Sequence, residues 1–339
     1  MSNQAPPLNV ALAMPAATAN RLFTPRLMDA LASKLNLLSR EPIQEFRSPQ
    51  SLAMLAKADV LISGWGCPMI DQAVLTTAPR LRYILHSAGS VRHHVGEACW
   101  ERGIQISTAA DANAIPVAEY TVAMVLLANK RVLQIARQLH TEKAGIEPED
   151  VFPDLGNYRK RVGVIGASKI GRHVIRLLGS YDVEVVVSDP YLAAADAVEL
   201  GVTVVTLDEL MASSDVVTLH APSLPSTRNL IDARRIAALQ PGATFINTAR
   251  GELVDQEALL RRLEKGDIFA VLDVTTPWVL PPDSGFYTNP HVLLTPHMAG
   301  SLGTELERMA ASTVQEAHRL ARGEPLRFPL REHDFQITA

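Results

Sequence analysis

The run Val162-Gly-Val-Ile-Gly-Ala-Ser-Lys-Ile-Gly171 has the form of a strand that ends in a tight turn and feeds a helix. Gly166 permits the turn, and Gly171 lets the helix pack closely on the strand. Ser168 stands where a third glycine would be usual; it is small, and its hydroxyl can donate to a phosphate. A helix that opens near Lys169 and Ile170 offers free N–H groups and a positive dipole end, which suits a pyrophosphate. Tight turns need glycine whatever they bind, so the motif gains weight from Asp189. This acid lies 18 positions after Gly171, at the end of the next candidate strand, where it can accept hydrogen bonds from an adenosine ribose. The structural alternative is an aspartate that caps the turn before Pro190. Enzymes that use S-adenosylmethionine share this geometry, so the ligand stays open at this point.

These groups need a scaffold. Short β-branched runs alternate with helical stretches almost from end to end, the signature of parallel sheets covered by helices. In the first third, strands are predicted at 8–14, 43–46, 60–63, 82–86 and 104–107, with helices over 25–38 and 69–77. One long helix is predicted from Pro116 to Leu139, then a polar loop over 141–161. A second series places strands at 162–165, 183–187, 202–205, 216–219, 244–247, 268–272 and 292–294. Another long helix is predicted over 302–321, and the tail from Gly323 reads as irregular, returning to the first domain.

The chain has 339 residues, enough for two cores. It is 47% hydrophobic and 20% charged, with a net charge of −4 and both signs interspersed, which argues against a nucleic acid or a membrane surface as partner. Two cysteines, Cys67 and Cys99, cannot make a disulfide framework, so a reducing cytoplasm is the expected compartment. The apolar stretch Val122–Ala128 is too short to span a bilayer, and the N-terminus lacks the basic start of a signal peptide. His93, His94, Glu97 and Cys99 lie close in sequence, but no second ligand cluster accompanies them and no metal is expected. Trp65 and Cys67 read as a packed turn after a strand.

Four further segments settle the ligand. They are Val117-Ala-Glu119, Leu219-His-Ala-Pro222, Asn247-Thr-Ala-Arg-Gly251 and Leu294-Thr-Pro-His-Met-Ala-Gly300. In this order, with the glycine turn, the chain resembles the D-isomer-specific 2-hydroxyacid dehydrogenases over essentially its whole length. The resemblance implies an α/β fold of two Rossmann-like domains. A discontinuous flavodoxin-like substrate domain (1–115 and 304–339) would accompany a central, doubly wound NAD-binding domain (116–303), with the active site in the cleft between them. It also implies NAD as cofactor, a small 2-oxo or 2-hydroxy acid as substrate, and a homodimer formed through the NAD domain.

By the same resemblance, Arg250 binds the substrate carboxylate and polarises its carbonyl, and His297 gives the proton to the forming hydroxyl. The chemistry agrees: a guanidinium stays charged and presents a fixed fork of donors, while imidazole exchanges protons near neutrality. Asp273 is expected beside the nicotinamide. Gly166, Ser168, Lys169, Ile170, Gly171, Asp189, His220, Pro222, Thr227, Thr248, Ala249, Ala299 and Gly300, with Arg250 and His297, would complete the cofactor groove. Ala88, Gly89 and Ser90 match the loop whose N–H groups hold the substrate carboxylate; a plain glycine turn is the alternative.

One position departs from the family. Its Asp-Val-x-x-x-Glu-Pro pattern reads here Asp273-Val-Thr-Thr-Pro-Trp-Val279, so Trp278 replaces the acid that partners the histidine. This keeps a second reading open, a non-enzymatic NAD(H) sensor or corepressor-like protein. Asp189, with Pro190 and Tyr191 after it and no arginine, favours NAD over NADP.

Overall fold

A computed structural model of the chain describes residues 6–337. The chain divides into two compact units, Met1–Asn113 with Ser301–Ala339, and Ala114–Gly300, against the sequence-based limits of 115 and 304. The strands of the described residues are β1 (Asn9–Ala13), β2 (Asn36–Leu37), β3 (Val60–Ser63), β4 (Tyr83–His86), β5 (Gln105–Thr108), β6 (Arg161–Ile165), β7 (Glu184–Ser188), β8 (Thr203–Val204), β9 (Val216–Leu219), β10 (Thr244–Asn247), β11 (Phe269–Leu272), β12 (Val292–Leu294) and β13 (Pro329–Leu330).

The first unit holds a six-stranded sheet in the order β13-β5-β4-β3-β1-β2. All its pairs are parallel except β13 against β5. The order of its first five strands is that of a flavodoxin-like sheet. Successive side chains alternate between two cores, with Val10 and Leu12 in one and Ala11 and Ala13 in the other, as a sheet covered on both faces requires. The second unit holds a seven-stranded parallel sheet in the order β12-β11-β10-β9-β6-β7-β8. Its strand order reverses between β6 and β9, the point at which doubly wound sheets open a crevice beyond their carboxyl ends.

Several predicted elements differ. The helix expected over 25–38 stops at Ala32 and residues 36–37 form β2, while the loop expected over 141–161 holds a short helix, Pro148–Val151. The long helix begins earlier, at Ala110, carries Pro116 inside it and stops at Asn129. A second helix, Val132–Glu142, follows a break at Arg131, whose φ is 52°. Arg131 is docked there: its guanidinium donates to Thr244 Oγ1 at 3.1 Å and to the Gly242 carbonyl, and lies 4.4 Å over the Phe269 ring. Residues 43–46 form only a single bridge, Ile43 to Ala13, and the edge strand is β2 instead. The helix expected over 302–321 starts as a 3₁₀ turn, Gly303–Glu305, and is α-helical over Leu306–Ala321. The tail is not irregular: β13 pairs with β5 from the sheet edge, where a proline is tolerated, and the helix Glu332–Ile337 follows.

Candidate active site

In the second unit, β6 ends in the glycine turn and the helix Lys169–Leu178 starts directly after it. Gly166 has a φ of 91°, and a Cβ there would stand 2.8 Å from the Ala221 nitrogen. A Cβ on Gly171 would stand 2.0 Å from the Gly166 carbonyl oxygen, so the turn and helix can approach only without side chains. Ser168 caps the helix: its Oγ accepts from Gly171 N at 3.3 Å, leaving its own proton to donate elsewhere. The N–H groups of Lys169 and Ile170 sit in the first turn, where no intrahelical carbonyl can reach them.

Asp189 follows β7 and is tied to the same turn. One carboxylate oxygen accepts from Ala167 N at 2.6 Å and the other from Tyr191 N at 2.7 Å. Each oxygen keeps lone-pair capacity for a ribose hydroxyl. These residues fit a dinucleotide: a capped helix N-terminus for the phosphates, two side-chain-free contacts beneath it, and a pre-oriented carboxylate one strand away.

Beyond β9, His220 is 3% exposed and packs against Gly166 and Gly171. Its Nε2 pairs with Thr218 Oγ1 at 2.9 Å, and burial pushes it down to about 3, so the ring is neutral. It supports the turn from within. Thr227 is likewise engaged, its hydroxyl donating to the Pro222 carbonyl at 2.7 Å and accepting from Leu224 N at 2.9 Å.

After β10, Asn247 shapes the loop that carries Arg250. Its Oδ1 accepts from Ala249 N at 3.0 Å and its Nδ2 donates to the Arg250 carbonyl at 2.9 Å. Thr248 is buried and its hydroxyl meets Thr121 at 3.3 Å. The Arg250 guanidinium donates to Ala249 O at 2.7 Å; burial lowers its pKa, opposed by Glu252.

The loop after β12 carries His297, held at a φ of 55°. Its backbone N–H donates to the Asp273 carbonyl at 2.9 Å. Asp273 is 1% exposed and its carboxylate organises the whole turn. One oxygen accepts from Thr295 Oγ1 at 2.6 Å and Met298 N at 2.8 Å, the other from Ala299 N at 2.9 Å. Gly300 closes the unit. Burial lowers the His297 pKa, the Arg250 charge lowers it further, and Asp273 opposes both. Arg250 and His297 are therefore brought within electrostatic reach of one another.

Trp278 lies against that histidine, ring centroids 5.0 Å apart and tilted by 45°, with the indole 71% exposed. Its segment is clamped. Gln256 Oε1 accepts from Thr276 N at 3.0 Å, its Nε2 donates to Thr276 O, and Thr275 Oγ1 bonds the Pro277 and Trp278 carbonyls at 2.8 and 3.0 Å. A Cβ on Gly251 would come within 2.2 Å of Thr275, so the Arg250 loop and the Trp278 segment touch backbone to backbone.

In the first unit, Ala88, Gly89 and Ser90 follow β4. Ala88 is buried and its carbonyl accepts from Ala109 N at 3.0 Å, while a Cβ on Gly89 would meet only Asn113 Nδ2, at 3.8 Å. Ser90 Oγ accepts from Arg92 N at 3.4 Å. Beneath them the buried His86 pairs with Ser63 Oγ at 2.9 Å, and burial pushes it down to about 3. His93, His94, Glu97 and Cys99 do not converge: among the described residues no group of three or more His, Cys, Asp or Glu could hold a metal ion. Cys99 Sγ bonds the Ile70 carbonyl, and His94 Nδ1 lies 2.6 Å from the Cys67 carbonyl. Among the described residues no helix is long and apolar enough to cross a membrane.

Comparison with known proteins places this geometry. The D-isomer specific 2-hydroxyacid dehydrogenase, NAD binding domain, matches residues 122–299. The chain belongs to that family, and NAD is its cofactor. The chain is 32% identical over 273 residues to D-3-phosphoglycerate dehydrogenase of Mycobacterium leprae, covering 80% of this chain and 50% of the relative. It thus spans about half the length of the curated relatives it matches. Among solved structures, a phosphoglycerate oxidoreductase from Rhizobium etli superposes with a TM-score of 0.82 at 22% identity, covering 96% of this chain and 99% of the other, a likeness of fold. A D-lactate dehydrogenase from Aquifex aeolicus, complexed with NAD and lactic acid, superposes with a TM-score of 0.69 at 25% identity, covering 93% and 96%.

Sequence reasoning singled out Asp273 but missed what holds it in place, and it missed Gln256. Thr295 lies inside the Leu294–Gly300 motif and could have been noticed as a buried hydroxyl beside an acid. Gln256 carries no sequence signal, because its partner lies at Thr276.

Proposed function

We propose that the chain is an NAD-dependent oxidoreductase that reduces a small 2-oxo acid to its D-2-hydroxy acid, and catalyses the reverse. The observation that supports this is that Arg250 and His297 lie on loops at the carboxyl ends of strands of one parallel sheet, both against the Thr275–Trp278 segment: the Arg250 loop touches it backbone to backbone at Gly251, and the imidazole packs on Trp278. Arg250 holds the substrate carboxylate and stabilises the charge that grows on the carbonyl oxygen. His297 gives that oxygen a proton. NAD, when bound in its reduced form, supplies the hydride. Gly166, Ser168, Lys169, Ile170, Gly171 and Asp189 hold its phosphates and ribose, and the N–H groups of Ala88–Ser90 are assigned to the substrate carboxylate.

The test is NADH oxidation with a panel of 2-oxo acids, comparing wild type with Arg250→Ala. The variant is expected to lose about 10²–10³-fold in kcat/KM, as for other transition-state charge stabilisers. Equal turnover in both would overturn the assignment.

Trp278 favours a second reading. No acid replaces the family glutamate at that position, and both Asp273 oxygens serve the turn. A protein that binds NADH tightly and turns over none of the panel would be a dinucleotide sensor instead. In either case two copies are proposed to pair through the NAD unit: the helix Val132–Glu142 buries none of its residues, leaving Val132 and Leu139 exposed. The two free cysteines, both buried, fit a cytoplasmic setting.

A further inference from the structure

His297 has a left-handed backbone, which residues with a side chain seldom adopt and which persists only where the surroundings over-determine it. What over-determines it is a chain of hydroxyls that begins on another element. Thr295 Oγ1 donates to Asp273 Oδ1 at 2.6 Å, so its own lone pair is left to accept. The Tyr120 hydroxyl, on the helix Ala110–Asn129, lies 2.9 Å from that oxygen and is therefore the donor. Asp273 in turn accepts from the N–H groups of Met298 and Ala299, the two residues after the histidine.

We infer that Tyr120 and Thr295 are positioning residues for His297, acting through Asp273 to fix the turn that sets the imidazole against Trp278. Asp273 is buried and Tyr120 and Thr295 are half-buried, so water competes poorly for the bonds between them. Burial raises the Tyr120 pKa and so keeps its hydroxyl protonated as a donor, although Thr295 opposes this. The role rests on the reading of His297 as proton donor only where kinetics are concerned; the placement of the ring does not depend on it.

The experiment therefore has two readouts. Trp278 reports the histidine optically, because a protonated imidazole in contact with an indole quenches its fluorescence. The pH-dependent emission lost in Trp278→Phe is the Trp278 signal, free of Trp65 and Trp100. Thr295→Val and, less strongly, Tyr120→Phe should shrink that signal or shift its midpoint, and Thr295→Ser should restore it. Tyr120→Phe keeps the ring and its packing, so the fold is retained. In kinetics with glyoxylate and NADH, Thr295→Val should lower kcat by about tenfold or more per NADH-binding site, as misplacement of a reacting group does. If the Trp278 titration is the same in wild type, Thr295→Val and Tyr120→Phe, the inference is overturned. If the titration moves but His297→Gln turns over as fast as wild type, the inference stands and the proton-donor reading fails.

Discussion

The turn at 166–171 and the turn at 295–299 both present groups at the carboxyl ends of strands in one sheet, yet they are built by opposite means. The first is shaped mostly from within, with one side-chain tie, from Asp189 22 residues away to Ala167 N. Gly166, Ser168 and Gly171 shape it from within, and the capping bond from Ser168 spans three residues. The second is long-range: its shape comes from Asp273, which lies 22 to 26 residues away in sequence, and from Tyr120, 175 residues away. A backbone site for phosphates needs small residues and a helix end. A proton donor needs one side chain held in one orientation, which only a buried carboxylate and its partners can enforce.

The sharpest way to break the first region is Gly171→Ala. The new Cβ would start 2.0 Å from the Gly166 carbonyl oxygen, and a backbone atom cannot swing aside as a side-chain tip can. Overpacking of this kind costs about 1–3 kcal/mol or more. For a unit of this size that lowers the melting temperature by roughly 2–4 °C per kcal/mol. NADH affinity should fall as well, because the helix N-terminus is displaced. Thermal unfolding and NADH titration check both. A variant as stable as wild type would mean that the helix moves freely against the strand, and the contrast between the two regions would lose its rigid member.

That contrast also explains what was legible in the sequence. The glycine turn and the parallel strands could be read because each depends on neighbours or on a two-residue or helical period. The break at Arg131 could not, since it depends on Thr244, Gly242 and Phe269. Nor could the use of Thr227 and Asp273. Both were expected to line the cofactor groove, and both spend hydrogen-bonding capacity on holding loops. Residue type showed that these positions carried polar groups, but only the tertiary pairing shows where those groups are directed.

A smaller effect is expected at Asp189, whose role is part local and part chemical. Its charge should repel a 2′-phosphate, so the wild type should prefer NADH to NADPH. Asp189→Asn keeps an acceptor for Ala167 N while removing the charge, and should weaken the preference by about tenfold, the effect of roughly one unit of differential interaction. Asp189→Ala should weaken it and also loosen the turn, lowering affinity for both cofactors. Equal binding of NADPH and NADH by the wild type would sink this assignment.

The smallest expected change is a displacement on the pH axis, and it probes the second region most directly. The groups acting on His297 are burial and Arg250, which favour the neutral ring, and Asp273, which opposes them. Trp278 adds apolar surface and no charge. In the proposed role of proton donor, His297 must start protonated in the reductive direction. A lowered pKa therefore means that the rate is highest at acid pH and falls as pH rises through the histidine pKa, below its usual value near 6.5. Trp278→Glu places a carboxylate where the indole now lies, 5.0 Å between ring centroids. An adjacent anion favours the imidazolium and raises its pKa, typically by about one unit or more. The falling limb of reduction should move to higher pH by that amount, and activity at neutrality should rise. In the oxidative direction the sign reverses: the neutral ring is the base, so the same substitution should move the rising limb to higher pH. Paired pH–rate profiles in both directions test this, because a substitution that merely disturbed packing would lower both profiles without moving their limbs in concert. Coincident profiles for wild type and variant would mean that another acid already partners His297, and Trp278 would then have no electrostatic role.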